Sequence, residues 1–328
     1  MTKSHLIVTR LLESKVPIQA FWPDFMRGVI QVQLLRPASG DMQAATQAFK
    51  GMPAQFSTTT TPVAPLQPVR APKGVKVPNG VQVHLGSNTA NDTSPWAGGD
   101  FIIDPNAGEL CTDGWPVSVG GQSYMTTAGH CSLGDPWFNG TFDNDGNFIG
   151  DGDFIGTGSQ NALSGSAIDS QLLATGVVPD VWTGNYPLNR TAAILGWHNP
   201  PVGESVCQGG AFEGTICGAK VSSSSYNACI SIQNSDPQAS VTCHVYEAVN
   251  PPGVVLVGQG DSGGPAYTAI FSGQVLSDVS GIGSNTAELG ENLSCPAFPW
   301  RGNVCSDTML FTGLGAILNQ YNGNLITQ

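Results

Sequence analysis

The sequence predicts an all-β globular protein. Three observations lead there. Glycine is abundant, 42 of 328 residues, which implies many turns. From about Ser94 onward, short β-prone runs alternate with Gly, Asn and Asp turns. Only 11% of residues are charged while 40% are hydrophobic, a balance that excludes bulk disorder and suits a sizeable core. The runs are Pro116–Val119, Ser123–Thr127, Ala192–Trp197, Val254–Val257, Ala266–Phe271 and Val275–Ile282. Strands spaced in this way build a β-sandwich or a barrel.

Residues 1 to about 50 have mixed character. Val29–Leu35 (VIQVQLL) reads as a strand and Asp41–Lys50 as a short helix, although periodicity decides neither. Residues 52–72 carry five prolines among many threonines, which reads as an extended linker or a surface strap. The expected organisation is therefore an N-terminal pro- or accessory region, residues 1–93, followed by one large domain, residues 94–328. Near the end, Leu310, Phe311, Leu314, Ile317, Leu318 and Tyr321 fall at helical spacing, so Thr308–Gln320 is read as one amphipathic packing helix, weakened by Gly313 and Gly315. No repeat of 20 to 50 residues interrupts this scheme.

Charge narrows the partners. Twelve basic residues face 24 acidic ones, a net charge of −12, so phosphate backbones and anionic membrane surfaces are repelled. No apolar run reaches the roughly 18 residues a membrane-spanning helix needs. The eight cysteines form an even set at short spacings: Cys111 and Cys131, Cys207 and Cys217, Cys229 and Cys243, Cys295 and Cys305. None has CxxC spacing and the five histidines are scattered, so a disulfide framework is expected rather than a metal site. Its connectivity is not determined by spacing, and nearest neighbours are the simplest pairing. Disulfides place the protein outside the cell. The first thirty residues do not supply the matching signal, since Ile7 and Val8 are soon followed by Arg10, Glu13 and Lys15.

Three segments carry chemistry. Gly260-Asp261-Ser262-Gly263-Gly264-Pro265 surrounds a serine with glycines. A serine hydroxyl needs an adjacent base to act as a nucleophile. The flanking glycines allow a sharp turn in which the amides of Gly260 and Ser262 converge on one point as an oxyanion hole, each donor contributing about 3–4 kcal/mol. Thr127-Ala128-Gly129-His130-Cys131 closes an expected strand and offers His130 as general base, with Cys131 anchoring the segment. Asp169, among Ile168, Leu172 and Leu173, is the candidate acid that orients the imidazole. Asp143, Asp145, Asp151 and Asp153 also lie between His130 and Ser262, but in a polar, Gly-rich stretch that reads as solvated.

TAGHC, DSQLL and GDSGGP, in the order His, Asp, Ser, resemble the chymotrypsin-like serine peptidases, the family in which this triad is best described. The close cysteines at 111 and 131 and the segment VCQGGAFEGTICG (Val206–Gly218) resemble the bacterial streptogrisin branch. The likeness covers residues 94 to 328. It implies two six-stranded antiparallel β-barrels with a C-terminal helix. His130 and Asp169 would come from the first and Ser262 from the second. It also implies a secreted, monomeric endopeptidase acting on protein or peptide substrates without metal or cofactor; the composition change and the linker suggest in addition a zymogen whose residues 1–93 are cleaved off.

Two departures stand out. Where streptogrisin-like enzymes carry an arginine that pairs with the buried aspartate of GDSGGP, this chain has Gln208, so the partner of Asp261 is open: a backbone group or Gln208 itself is expected to serve instead. No cysteine precedes GDSGGP within the run Val255–Gln259. For specificity, the resemblance implies that the residue six before the serine lies at the base of the primary pocket; here it is Leu256 rather than an acid, which argues against cleavage after Lys or Arg. Ser280, Gly281 and Ile282 are expected to wall the pocket, with Val279–Ile282 pairing with substrate backbone. The rival reading is a protease-like fold retained as a catalytically silent binding module; an esterase of the same chemistry is a third.

Weaker signals are four glycosylation sequons at Asn91, Asn139, Asn189 and Asn292, and an Asp143–Asn147 run that reads as a hairpin turn rather than a calcium loop, since Phe148 replaces the required glycine. Trp96, Trp115, Trp137, Trp182, Trp197 and Trp300 read as core or rim aromatics.

Overall fold

A computed structural model describes the chain except residues 1–15, 25–28, 39, 60–62, 66–68, 71–88, 90, 133–135, 143–147, 186–188, 223–227, 232–240, 291–292 and 296–303. The Asp143–Asn147 turn, the Asn292 sequon and Trp300 lie outside the described residues.

The N-terminal part holds strands β1 (Ile18–Asp24) and β2 (Val29–Leu35), helix α1 (Asp41–Ala48), and strands β3 (Ala54–Thr59), β4 (Val63–Pro65) and β5 (Val69–Arg70). β1 runs antiparallel to β2, and β2 parallel to β3. The expected strand at Val29–Leu35 and the short helix that follows are both present. Val32, Leu34, Ala45 and Phe49 bury against one another and against Cys229 and Cys243 of the larger domain. These apolar contacts, with a strand bridge from Ala20 to Ile230, seat the N-terminal part on the sheet that follows.

The first barrel is built from β7 (Phe101–Asp104), β8 (Glu109–Val119), β9 (Gln122–Thr127), β10 (Pro136–Phe142), β11 (Phe148–Ser159) and β12 (Gln171–Ala174), entered through β6 (Trp96–Gly98). Pairing runs β8–β7–β10–β11–β12–β9 and returns from β9 to β8, every pair antiparallel. Six strands therefore close on themselves and leave no free sheet edge in the ring. Ile102, Met125, Trp137, Ile155 and Leu173 fill the interior with Trp96. Helix α2 (Leu163–Ser166) lies in the β11–β12 connection.

The second barrel follows β13 (Val177–Thr183) and β14 (Arg190–Trp197). Its strands are β15 (Ser205–Gly210), β16 (Gly214–Val221), β18 (Val241–Val249), β20 (Pro265–Ser272), β21 (Val275–Leu289) and β24 (Thr308–Gly313); β17 (Ala228–Ser231), β19 (Val257–Gly258), β22 (Leu293–Ser294) and β23 (Val304–Ser306) lie between them in sequence. The ring β15–β20–β21–β24–β18–β16 closes from β16 to β15, again wholly antiparallel. Val206, Ala248, Leu256, Ile282, Met309 and Phe311 pack inside it. The all-β fold with two six-stranded antiparallel barrels is thus present in this chain.

Between the barrels lies a shared core. Trp115 and Val117 of β8 meet Leu276 and Val279 of β21 and Leu314, Ile317 and Leu318 of helix α3 (Leu314–Tyr321). Each of those buried aliphatic side chains contributes about 1.5–3 kcal/mol. The Trp115 indole N–H donates to the Gly283 carbonyl across the boundary, 2.6 Å. Beyond α3, β25 (Gly323–Leu325) returns to pair with β8 of the first barrel.

Two expectations are corrected. The single helix over Thr308–Gln320 is instead strand β24 as far as Gly313 and helix only from Leu314. Residues 308–313 are all buried and paired on both sides, with β18 and β21, and two ladders of hydrogen bonds outweigh a helical apolar pattern. The expected strand at Val254–Val257 is reduced to Val257–Gly258, because Pro251-Pro252-Gly253 makes a turn in which the Val254 amide donates to the Pro251 carbonyl. Among the described residues no helix is long and apolar enough to cross a membrane.

Candidate active site

The chain folds locally to present His130 at the end of β9. Cys131 is tied to Cys111 on β8, the Asn161 amide donates to the Gly129 carbonyl at 2.6 Å, and the Gln171 amide donates to the carbonyls of Ala128 and Ser132. A β-carbon at Gly129 would lie 3.0 Å from the backbone of Ser170, so a glycine lets this turn sit directly against the Asp169 segment.

Asp169 is fully buried and grips the histidine twice. Its Oδ1 accepts the His130 backbone N–H at 2.9 Å, and its Oδ2 lies 2.7 Å from His130 Nδ1. Nδ1 next to a carboxylate keeps its proton, which leaves Nε2 as the acceptor. That atom is 2.9 Å from Ser262 Oγ. The Asp169 backbone is itself held: its N–H donates to Thr242 Oγ1 at 3.0 Å, and the Tyr321 hydroxyl donates to the carbonyl of neighbouring Ser170 at 2.8 Å. Ser262 has no exposed surface and the His130 side chain is 1% exposed.

Ser262 sits on a turn stitched to both barrels. Its carbonyl accepts the Thr112 N–H at 2.9 Å. Gly263 donates to the Asn285 carbonyl and Asn285 donates to the Gly264 carbonyl, both at 2.9 Å. Gly260 has φ +93°, and a β-carbon there would lie 2.6 Å from the Phe212 ring, so both backbone and space require glycine.

The partner of Asp261 is main chain. Its Oδ1 accepts the N–H groups of Phe212 and Glu213, at 3.0 and 3.1 Å, and its Oδ2 accepts that of Gly258 at 2.9 Å. Gln208 turns elsewhere: it donates to the Gly214 carbonyl and accepts from Gly210 N–H and Asn285 Nδ2. Complete burial, and next the nearby Glu213 charge, push the Asp261 carboxyl up, opposed by those three amides. Of the two partners the sequence left open, backbone or Gln208, the structure has the backbone; backbone donors leave no signature in side-chain identity that could have decided between them.

The four disulfides join Cys111 to Cys131, Cys207 to Cys217, Cys229 to Cys243 and Cys295 to Cys305, the nearest-neighbour arrangement. The structure gives the surroundings of the expected pocket residues as burial and strand pairing. Leu256 and Ile282 are fully buried inside the second barrel with Val206, Tyr246 and Phe311. Ser280 and Gly281 are paired on both sides, with β20 and with β14 (Gly196↔Ser280, Trp197↔Gly281), so this part of β21 has no edge to offer a substrate strand.

The chain matches no family profile and no curated protein. Among solved structures it is similar to Thermobifida fusca protease A (19% identity, 71% of this chain and 98% of that one, TM-score 0.44), Nocardiopsis protease (20%, 70% and 98%, 0.46) and Cellulomonas bogoriensis chymotrypsin (20%, 71% and 98%, 0.45). This is a likeness to bacterial chymotrypsin-like serine proteases at the level of fold. The barrels described above rest on this chain's own strand pairing.

Proposed function

We propose that the protein is a serine endopeptidase. The observation that carries this reading is the continuous relay from Asp169 Oδ2 through His130 to Ser262 Oγ, with separations of 2.7 and 2.9 Å. In the proposed reaction Ser262 Oγ attacks a peptide carbonyl as His130 Nε2 takes its proton. The amides of Gly260 and Ser262 stabilise the oxyanion. His130 then protonates the leaving amine, and an acyl-enzyme on Ser262 forms. Water attacks that ester with His130 again as base, and the acid product leaves. Asp169 keeps the imidazole in the productive tautomer and stabilises its charged form.

Four disulfides support an extracellular protein; the substrates in this reading are proteins or peptides, and the protein acts as a monomer. The change of composition and the Thr/Pro-rich stretch at residues 52–72 support reading the N-terminal region as a pro-region that holds the enzyme latent. Leu256 in place of an acid supports cleavage after residues other than Lys and Arg. The test is labelling with a fluorophosphonate probe before and after removal of the N-terminal region. Label on the trimmed protein, lost in Ser262→Ala, is expected. Failure of both forms to label would replace this reading with that of a binding module.

A further inference from the structure

A second serine, histidine and carboxylate are aligned at the end of the second barrel. His198 Nδ1 lies 2.9 Å from Ser280 Oγ, and His198 Nε2 lies 3.0 and 3.1 Å from the two carboxylate oxygens of Glu204. A ring nitrogen facing two carboxylate oxygens carries the proton, so Nδ1 is left to accept the Ser280 O–H. The Thr268 hydroxyl donates to Glu204 Oε1 at 2.9 Å and fixes the carboxylate from the neighbouring strand. The spacing is close to that of the Asp169–His130–Ser262 relay, with the two ring nitrogens exchanged.

The chain builds this cluster locally. His198 and Glu204 are joined by Asn199-Pro200-Pro201-Val202-Gly203, and the Glu204 N–H closes the turn on the Pro201 carbonyl at 3.2 Å. Two prolines stiffen the turn, and Gly203 at φ +83° lets it reverse. The His198 N–H donates to the Gly281 carbonyl at 3.1 Å, which hangs the ring beside Ser280. Ser280 lies two residues before Ile282, and Glu204 two before Val206. Both of those apolar residues fill the second barrel, so the cluster stands over that barrel's end. Solvent reaches it: Ser280 is half-buried and the His198 side chain is 36% exposed. Gly196 is the neighbour of Ser280 on β14, and a β-carbon there would meet nothing within 4 Å, so the approach past Gly196 is open.

We infer that Ser280 is a second nucleophile, which hydrolyses small uncharged aryl esters with His198 as its base and Glu204 as a positioning residue. This goes beyond the endopeptidase reading and does not depend on it. The surroundings select the substrate class. Ser280 lies in mid-strand, paired with Thr268 on one side and Gly196 on the other, so the amides there serve the ladders rather than an oxyanion hole. An attacked carbonyl must then carry a good leaving group, which a phenolate is and an amine is not. A fluorophosphonate, whose phosphoryl oxygen gathers charge in the same way, remains a reagent for Ser262. Asp278, two residues from Ser280 on the same face of β21, joins Glu204 in repelling anionic substrates. Ile270, opposite Asp278 and 38% exposed, offers the aryl ring an apolar contact. In the reaction Ser280 Oγ bonds to the ester carbonyl carbon as its proton passes to His198 Nδ1. The C–O bond to the phenol breaks, and the departing phenolate takes that proton. Water then attacks the acyl-serine, passing a proton to His198. The acid leaves as Ser280 recovers that proton.

The experiment uses the full chain carrying Ser262→Ala, so that the first serine cannot contribute. p-Nitrophenyl acetate is added in excess, nitrophenolate release is followed, and the acetylated residue is located by fragmentation mass spectrometry. One acetyl group on Ser280 is expected, and adding Ser280→Ala should abolish it with no change in melting temperature. His198→Ala should slow acetylation at least about 100-fold, and free imidazole should restore part of the rate. A residue with only a packing role would show no such rescue. His198→Gln, which keeps hydrogen-bonding groups but is no base, serves as the second variant: it should fold and stay as slow. Glu204→Gln should slow acetylation and Glu204→Asp should recover much of it. Acetyl groups confined to other residues, or a rate that His198→Gln leaves unmoved in a folded protein, overturn the inference. Neither outcome touches the reading of Ser262.

Discussion

The backbone N–H of Thr112 in the first barrel donates to the carbonyl of Ser262 in the second, 2.9 Å away. The Thr112 hydroxyl adds two more links, donating to the Gly260 carbonyl at 2.8 Å and accepting from the Ala211 N–H at 3.1 Å. One fully buried residue thus sets the spacing between the barrel that carries His130 and the turn that carries the serine.

Thr112→Val keeps the shape and removes both hydroxyl bonds. Two buried backbone groups lose their partner, so unfolding free energy should fall by about 1–3 kcal/mol in urea titration. Peptide hydrolysis should show a larger drop in kcat than rise in KM, since it is the serine turn that is loosened.

Asp169→Asn should retain the bond from the His130 backbone while presenting an N–H to Nδ1. The imidazole would then hold its proton on Nε2, facing Ser262, and could not accept the hydroxyl proton. A fall in kcat of about 10⁴ is expected with little change in melting temperature. Steady-state kinetics beside thermal denaturation separates this from a folding defect.

Gly260→Ala places a methyl group 2.6 Å from the Phe212 ring at a φ of +93°. The strain should cost about 1–3 kcal/mol of stability. Displacement of the Gly260 amide should lower kcat by about 10²–10³. Adding Phe212→Ala would relieve the clash but not the backbone strain, so the double variant should recover only part of the stability and little of the activity.

Burial pushes the Glu288 carboxyl up to about 7 from 4.5. Its folded value is the higher one, so the contribution to stability is complete below about pH 4.5 and disappears as pH rises through about 7. The loss amounts to at most about 3 kcal/mol. Asp100 and Asp113 act in the same sense, both raised chiefly by burial. Glu288→Gln should therefore match wild type at pH 4.5 and exceed it in urea titrations at pH 8. Equal stabilities at pH 8 would refute the assignment.

Much of this was legible in the sequence. Gly, Asn and Asp punctuation gave strands that the structure retains at Ser123–Thr127, Ala192–Trp197 and Ala266–Phe271. The expected triad residues His130, Asp169 and Ser262 lie within hydrogen-bonding distance, although 132 residues separate the histidine from the serine. What stayed hidden was decided by pairing. Residues 308–313 have a helical pattern yet lie between two strands. Val279–Ile282 looks like a free edge until β14 is found alongside it. The seat of Asp261 consists of amide groups that any residue supplies.

The distance along the chain between the three residues has a consequence for biosynthesis. A ribosome finishes His130 and Asp169 long before Ser262, and the Tyr321 hydroxyl that braces Ser170 comes later still, 151 residues after its partner. Contacts of such span form late, after the loops between them have closed. A nascent chain therefore emerges with the serine and the histidine still apart, and by the time they can meet, the strands at 63–65 and 69–70 are already available to pair with β21 and β8. Order of synthesis alone keeps the serine, the histidine and the Tyr321 brace apart until the chain is nearly complete.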